Sequence, residues 1–399
     1  MKGSTSGKMQ REKSRVVIAP CSTYDEEEVY RAMKCAVELL GGIGAFVKAG
    51  EKVLVKPNFL SPSSVDKAVT THPAVIRGML RILAEAGAKE VVCGDSPGHG
   101  TCKAAAEKIG LSTGDLFGAR IGDMSQEVHV KFDEGMTAKE FQFAREVTEA
   151  DALISLCKMK THALERITGA VKNVYGLICG YRKAAGHVKY PNAGVFARML
   201  ADIHRCVKPR LHVMDGIVAM EGNGPGSGDP VPMNVLLFSK DPVALDTVFC
   251  HLVYLDPELV PTNTQGAAMG IGTYNIEEID ICIAKEGREA CSITAAELQK
   301  RYGNADFDVD RKGTKKTLLS RYAETMRALA KRPVIDEKRC IRCGICVSHC
   351  PVPGKAVSFK NGREQPPVYD YSKCIRCYCC QEMCPRHAIT AGKKRRRDL

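Results

Sequence analysis

No stretch of this chain is apolar for long enough to cross a bilayer. Runs such as Val16–Ala19 and Val235–Phe238 fall far short of the roughly 20 residues a spanning helix needs. The opening MKGSTSGKMQREKSR is polar and basic without an apolar centre, so no signal peptide is expected. Flavin and nicotinamide fingerprints are missing, as is the G-x4-G-K-[S/T] loop that cradles nucleotide phosphates. His72, His99, His162 and His187 include no pair at the H-x3-H spacing of a helical metal site. The basic run Lys393–Arg397 has no interleaved aromatics, so a solvated arm is expected there and nucleic-acid binding is not. What remains is a 399-residue chain, long enough for two cores. Its 44% hydrophobic and 26% charged content is that of a soluble globular protein. Nineteen cysteines without a leader imply a reducing compartment and metal-cluster ligation. The expected setting is the cytoplasm of an anaerobe.

Eight of those cysteines repeat one pattern. Cys340, Cys343, Cys346 and Cys350 are spaced C-x2-C-x2-C-x3-C-P, and Cys374, Cys377, Cys380 and Cys384 repeat it, with Pro351 and Pro385 closing each copy. Three thiolates two residues apart wrap one face of an iron–sulfur cube, while the fourth, displaced by three residues and a proline, reaches the other cube. The expected wiring is crossed: Cys340, Cys343, Cys346 and Cys384 on one 4Fe-4S cluster, Cys374, Cys377, Cys380 and Cys350 on the second. The letters between them repeat too (CIRCGIC, CIRCYCC), which implies an internal duplication with pseudo-twofold symmetry. Zinc explains neither the third cysteine nor the proline. Cys379 beside Cys380 is expected to be a packing thiol, although the spacing leaves a ligand swap open. The stretch resembles bacterial-type ferredoxins with two 4Fe-4S clusters. From Pro333 onward fourteen Lys and Arg face six Asp and Glu, a surplus suited to an acidic redox partner.

Upstream, strands and helices alternate. Strands are expected at Arg15–Ala19, Glu51–Val55, Glu90–Gly94, Ala152–Leu156, Leu211–Met214, Asn234–Phe238 and Ile279–Ile283. Helices are expected at Asp25–Leu40, Pro73–Ala86, Cys102–Ile109, Val171–Leu177, Phe196–Val207, Pro242–Leu252 and Thr262–Met269. Such alternation argues for an α/β domain, a mostly parallel sheet with flanking helices. The expected organisation is that domain over residues 1–311, a linker helix over 312–332, and a small α+β ferredoxin-like domain over 333–399. The last is too small for a large core and relies on its clusters to organise it.

Polar motifs gather at the expected strand ends, where open α/β sheets place their ligands. They run Lys56-Pro57-Asn58, Gly94-Asp95-Ser96-Pro97-Gly98, Lys158 to His162, Gly169 to Gly176, Met214 to Ile217, Met220 to Pro225 and Asp241 to Asp246. Lysines at apolar strand ends are seldom needed for packing. They can bind carboxylate or phosphate, or act with a depressed pKa; the plainer alternative is ion pairing with Asp95, Asp215, Glu221, Asp241 and Asp246. Lys56, Asp95, Lys160, Lys172 and Asp215 are the candidates for catalysis. Asn58, Ser96, Gly98, His162, Asn173 and Glu221 are the candidates for holding a substrate or organic cofactor. The Gly222–Gly228 stretch is either a mobile lid or a long hairpin loop. Cys93, Cys102, Cys157 and Cys179 lack cluster spacing and read as core.

The ordered set KPN, TTHPAV, GDSPG, KMKTH, TGAVKNVYG, MDGI, MEGNGP and DPVALD resembles the domain of unknown function 362 family, often joined to a ferredoxin-like module. The resemblance implies the architecture and the positions, not a reaction. Three functions stay open on these residues. One is an oxidoreductase passing low-potential electrons to a small molecule in the lysine-lined pocket. The others are an electron carrier whose large domain is a docking platform, and a maturation or scaffold factor for a metal cofactor.

Overall fold

Runs rich in valine and isoleucine, bounded by turns, pair into one large sheet. The computed structural model describes residues 12–180, 182–285, 291–313 and 331–392. The expected linker helix therefore lies outside the described residues except at its ends, and so does the basic run Lys393–Arg397. The α/β part contains β1 (Ser14–Pro20), β2 (Lys52–Lys56), β3 (Glu90–Cys93), β4 (Arg120–Ile121), β5 (Glu127–Lys131), β6 (Glu140–Ala144), β7 (Ala152–His162), β8 (Arg166–Thr168), β9 (Leu211–Glu221), β10 (Asp229–Ser239), β11 (Ile279–Ile283) and β12 (Cys291–Ile293). Among the described residues ten of them form a sheet in the order β12-β11-β1-β10-β9-β7-β2-β3-β4, with β8 folded back on β7. The neighbours from β9 to β4, and β11 with β1, run parallel. β10 is antiparallel to both β1 and β9. The mostly parallel α/β architecture expected from the alternation is what forms.

Period-two alternation divides the core. In β1, Val17 and Ala19 join the larger cluster while Val16 and Ile18 join the second. Helices Glu26–Leu39, Pro73–Glu85 and Ala193–Val207 cover the first face, and Pro242–Leu252 the other. Their starts are chemically marked. Asp25 and Asp241 accept backbone N–H groups of the first turn, and Pro73 and Pro242 open their helices.

Two expectations need correction. β7, β9 and β10 each run for eleven residues, so Lys158, Lys160, His162 and Asp215 lie within strands, not beyond their ends. The extra length comes from hairpins: β8 pairs back on β7, and the Gly222–Gly228 stretch is the turn joining β9 to β10. Small strands at 120–121, 127–131, 140–144, 166–168 and 291–293 lie outside the expected set, since short polar pairs carry little apolar periodicity.

The C-terminal module shows its duplication in the backbone. β13 (Arg332–Ile335) pairs with β16 (Ile389–Gly392), and β14 (Val357–Ser358) with β15 (Val368–Tyr369). Short helices Ile345–Ser348 and Cys379–Glu382 follow each C-x2-C. Arg342 and Gly344 have positive φ of 56° and 82°, and their counterparts Arg376 and Tyr378 repeat this at 57° and 61°.

Candidate functional site

The chain leaves β2 toward β3 and β4 on one side and returns to β7 on the other. That makes the gap at the carboxyl end of β2 a topological switch point, where open α/β sheets bind ligands. Lys56 ends β2, 1% exposed. Its Nζ lies 2.9 Å from Asp95 Oδ1 and donates to Pro57 O and Asn173 Oδ1 at 2.7 and 3.1 Å. Asp95 Oδ2 accepts the Phe59 N–H at 2.6 Å. Asn173 ties in Asn58 and Ser155, and Asn58 Oδ1 accepts from Lys160 Nζ at 2.9 Å. Gly176 lets this network close, because a Cβ there would sit 1.8 Å from Asp95 Oδ1 and 2.7 Å from Lys56 Nζ. Gly176→Ala should therefore cost about 1–3 kcal/mol by overpacking, read as a lower urea midpoint for the full chain.

Lys160 is the unusual member. It is wholly buried and donates to Asn58 Oδ1 and to Val69 O at 2.7 Å, with no carboxylate paired to it among the described residues. Burial holds its pKa well below the ordinary lysine value, and Lys172 and Lys158 push the same way. A neutral amine has two N–H donors and one lone pair. In its neutral form, with both donors used on protein acceptors, Lys160 has its lone pair free for a base or nucleophile role. Lys56 is also lowered by burial, partly offset by Asp95.

The C-terminal module closes the site. Gln381 is fully buried and its Nε2 contacts Asn223 O, Asn223 Oδ1 and Gly224 O at 2.8–3.1 Å. His162 Nε2 lies 2.9 Å from Glu382 Oε1. Its Nδ1 accepts the N–H groups of Leu164 and Glu165, so the ring proton sits on Nε2, facing the carboxylate. Burial lowers His162 to about 4. Burial works against the Glu382 carboxylate, but His162, Lys172 and His187 hold it down to about 2. Met383 packs so closely on Gly98 that a Cβ there would lie 2.8 Å from its Cε. His99 and His349 meet edge to face across the same seam.

Between the two parts lies a cavity of about 110 Å³. Of the residues singled out in the sequence, Lys56, Asn58, Asp95, Ser96, Gly98, Lys160, Lys172 and Asn173 line it, and His162 backs it through Glu382. Asp215 and Glu221 do not belong to it. Asp215 is bound by Lys158 Nζ at 2.8 Å, Tyr24 OH and the His72 N–H, and Glu221 accepts the Asp308 N–H. Asp215 thus makes the structural ion pair of the plainer expectation, whereas Glu221 accepts only a backbone N–H and forms no ion pair among the described residues. Asp246 likewise caps Ala170 and Val171. Sequence reasoning missed Lys183 and, on the module, Glu382 and Met383; Thr168 and Tyr175 lie in a motif it quoted without naming them as site residues, and Cys379 was expected only as a packing thiol. The head of half-buried Lys183 is held by Ser96 O and Pro97 O, and loss of solvent lowers it to about 8.

The two halves of the duplication offer the missed signal. Aligning CIRCGICVSHCP with CIRCYCCQEMCP puts Tyr378, Cys379, Gln381, Glu382 and Met383 opposite Gly344, Ile345, Val347, Ser348 and His349. Three of the changed residues, Gln381, Glu382 and Met383, grip the α/β domain, and Cys379 lines the cavity.

The cysteines fit cluster ligation. Cys340, Cys343, Cys346 and Cys384 surround one small cavity, and Cys374 neighbours Cys377 and Cys350. The sulfurs of Cys350 and Cys384 accept backbone N–H groups, and that of Cys380 accepts the Tyr369 hydroxyl, contacts that stabilise a thiolate. Among the described residues no three His, Cys, Asp or Glu side chains converge as one metal ion requires.

The family model for the domain of unknown function 362 matches residues 53–251, and that for a 4Fe-4S dicluster domain matches residues 332–385. A thylakoid-associated protein of Synechocystis sp. is 32% identical over 259 residues, covering 62% of this chain and 77% of that protein. A crystal structure from Thermotoga maritima is 16% identical with a TM-score of 0.33, covering 52% of this chain and 53% of that one. The lactate racemase apoprotein of Thermoanaerobacterium thermosaccharolyticum is 13% identical with a TM-score of 0.40, covering 61% and 57%. The chain thus spans a little over half the length of either solved structure. The chain belongs to the domain of unknown function 362 family and carries a 4Fe-4S dicluster domain after it.

Proposed function

We propose that the chain is an iron–sulfur oxidoreductase in which two 4Fe-4S clusters serve a small-molecule site in the cavity between the module and the α/β domain. The observation that supports this is a shared wall. Cys379 lies one residue from Cys380 and in hydrogen-bond contact with the Cys377 thiol, and it lines the same cavity as Lys160 and Asn58. A carrier with a remote docking platform needs no such seam. Cys340, Cys343, Cys346 and Cys384 would hold one cluster, and Cys374, Cys377, Cys380 and Cys350 the other. When bound, the clusters supply single low-potential electrons.

The remaining work falls to side chains of this chain. Lys56, Asp95, Asn58 and Asn173 fix the cavity wall, and Lys160 presents an amine lone pair to take or return a proton. Met383, Gln381 and Glu382 keep water out at the seam. Elsewhere on the module, Cys343 is exposed and Ile341 is 55% exposed, next to exposed Arg339 and Arg342. That face suits a redox partner with an acidic surface. Anaerobically reconstituted protein should contain about eight iron and eight labile sulfide; zinc without sulfide would remove this reading. Lys160→Met should retain the iron, the sulfide and both EPR signals while losing catalysis. Undiminished turnover in that variant would take Lys160 out of the reaction.

A further inference from the structure

The cavity's charge and its unpartnered polar atoms say what it holds, provided the cavity is the site proposed above. Four lysines (Lys56, Lys160, Lys172 and Lys183) line it against two carboxylates, Asp95 and Glu382. Lys56 is matched by Asp95 at 2.9 Å. Lys172 has no hydrogen-bond or ion-pair partner among the described residues. Behind it, Glu165 is wholly buried and pushed up to about 8 by burial, so it is protonated at neutral pH and cancels no charge. His187, lowered to about 4 by burial, is neutral. The lysines outnumber the carboxylates on this wall, so it keeps surplus positive charge.

Two side chains that are at most 5% exposed also face this cavity without a hydrogen-bond partner among the described residues: Thr168 through Oγ1 and His187 through Nδ1. Buried polar atoms are rarely left unmade. Leu60, Tyr175, Pro225 and Met383 give the wall an apolar stretch beside the polar Asn58, Ser96 and Asn173. Among the described residues that line the cavity there are no arginine forks, which favour phosphate. A dianion would also lie close to Asp95 and Glu382. We propose that the cavity binds a small aliphatic carboxylate, its monoanionic head on Lys172 and the Thr168 hydroxyl and its short hydrocarbon body against Leu60, Pro225 and Met383.

The test is calorimetric titration of the reconstituted, oxidised full chain with propionate, propionamide and inorganic phosphate. Propionate should bind, propionamide at least tenfold more weakly, and phosphate no better than propionamide. Lys172→Met should weaken propionate binding at least tenfold, and Thr168→Val, which keeps the shape, about threefold. Affinity should fall as pH rises past about 8, where Lys183 sheds its charge. That group faces Asp95, Lys56, Lys172 and Cys179 besides its two carbonyls. Equal binding of propionate and propionamide, phosphate binding as tightly as propionate, or undiminished affinity in both variants would overturn the assignment. No electron donor is present in this experiment, so a negative result leaves the redox reading to be judged separately by iron, sulfide and EPR.

Discussion

Asp95→Ala should destabilise the full chain by about 3–5 kcal/mol, the usual cost of removing one partner from a buried ion pair. The Lys56 and Asp95 side chains are 1% and 4% exposed, so the orphaned ammonium cannot turn to water. Phe59 also loses the acceptor for its buried N–H, a further penalty of about 1–3 kcal/mol if nothing replaces it. Lys56 can limit the loss by giving up its proton, since burial already lowers its pKa. The sign follows from that. A lysine whose folded pKa is depressed loses stability as pH falls below its unfolded value, so the deficit should be largest near neutrality and shrink in alkaline buffer. Asp95→Asn keeps an acceptor for Phe59 and should cost less than Asp95→Ala. Adding Lys56→Met to Asp95→Asn should recover part of the difference. Urea unfolding followed by circular dichroism checks all three, and single variants within about 0.5 kcal/mol of wild type would show that the pair is not the keystone of this site.

Much of the site is legible in the sequence because its parts are short polar words set in apolar text. Lys56-Pro57-Asn58 follows a buried valine strand, and Asp95 follows another. A lysine in such a place needs a reason, either a ligand or a carboxylate partner. Three-dimensional closeness is not legible. Lys158 and Lys160 sit two apart on β7 and look equivalent as letters, yet Lys158 meets Asp215 and Tyr24 while Lys160 faces the cavity. Adjacent strands decide this: β9 brings Asp215 opposite Lys158, and the irregular pairing that follows brings Met220 opposite Lys160.

The cysteine pattern is readable for another reason. Its ligand spacing is imposed by the size of a cluster, so local sequence carries a nearly complete geometric instruction. The missed residues, Glu382 and Met383 above all, lie inside that pattern, where the regular cysteine spacing masks them. The difference between the two half-motifs exposes them, because a duplication relieved of a shared constraint diverges where each half meets different surroundings. Lys183 has no such signal; its helix, Arg182–Lys189, is short and polar.

Glu382 gives the second large expected effect. It follows Cys380 by two residues and precedes Cys384 by two, and its charge acts on the Cys377 and Cys379 thiols. A buried charge about 8 Å from a redox centre contributes about 2 kcal/mol at an effective dielectric near 20, on the order of 100 mV for one electron. Negative charge disfavours reduction, so Glu382→Gln should raise the potential of one cluster by several tens of millivolts. Glutamine keeps the shape and can still accept from His162 Nε2, so the seam should stay closed. The cluster assigned to Cys340, Cys343, Cys346 and Cys384 should move much less, since only Cys384 brings it near Glu382. An EPR-monitored redox titration separates the outcomes. One potential rising with the other nearly fixed is the expected result. An equal shift of both would mean that the module had loosened and taken up solvent. No shift at all would mean that the carboxylate at the seam does not reach the electrons, leaving the Cys379 wall alone to couple the clusters to the cavity.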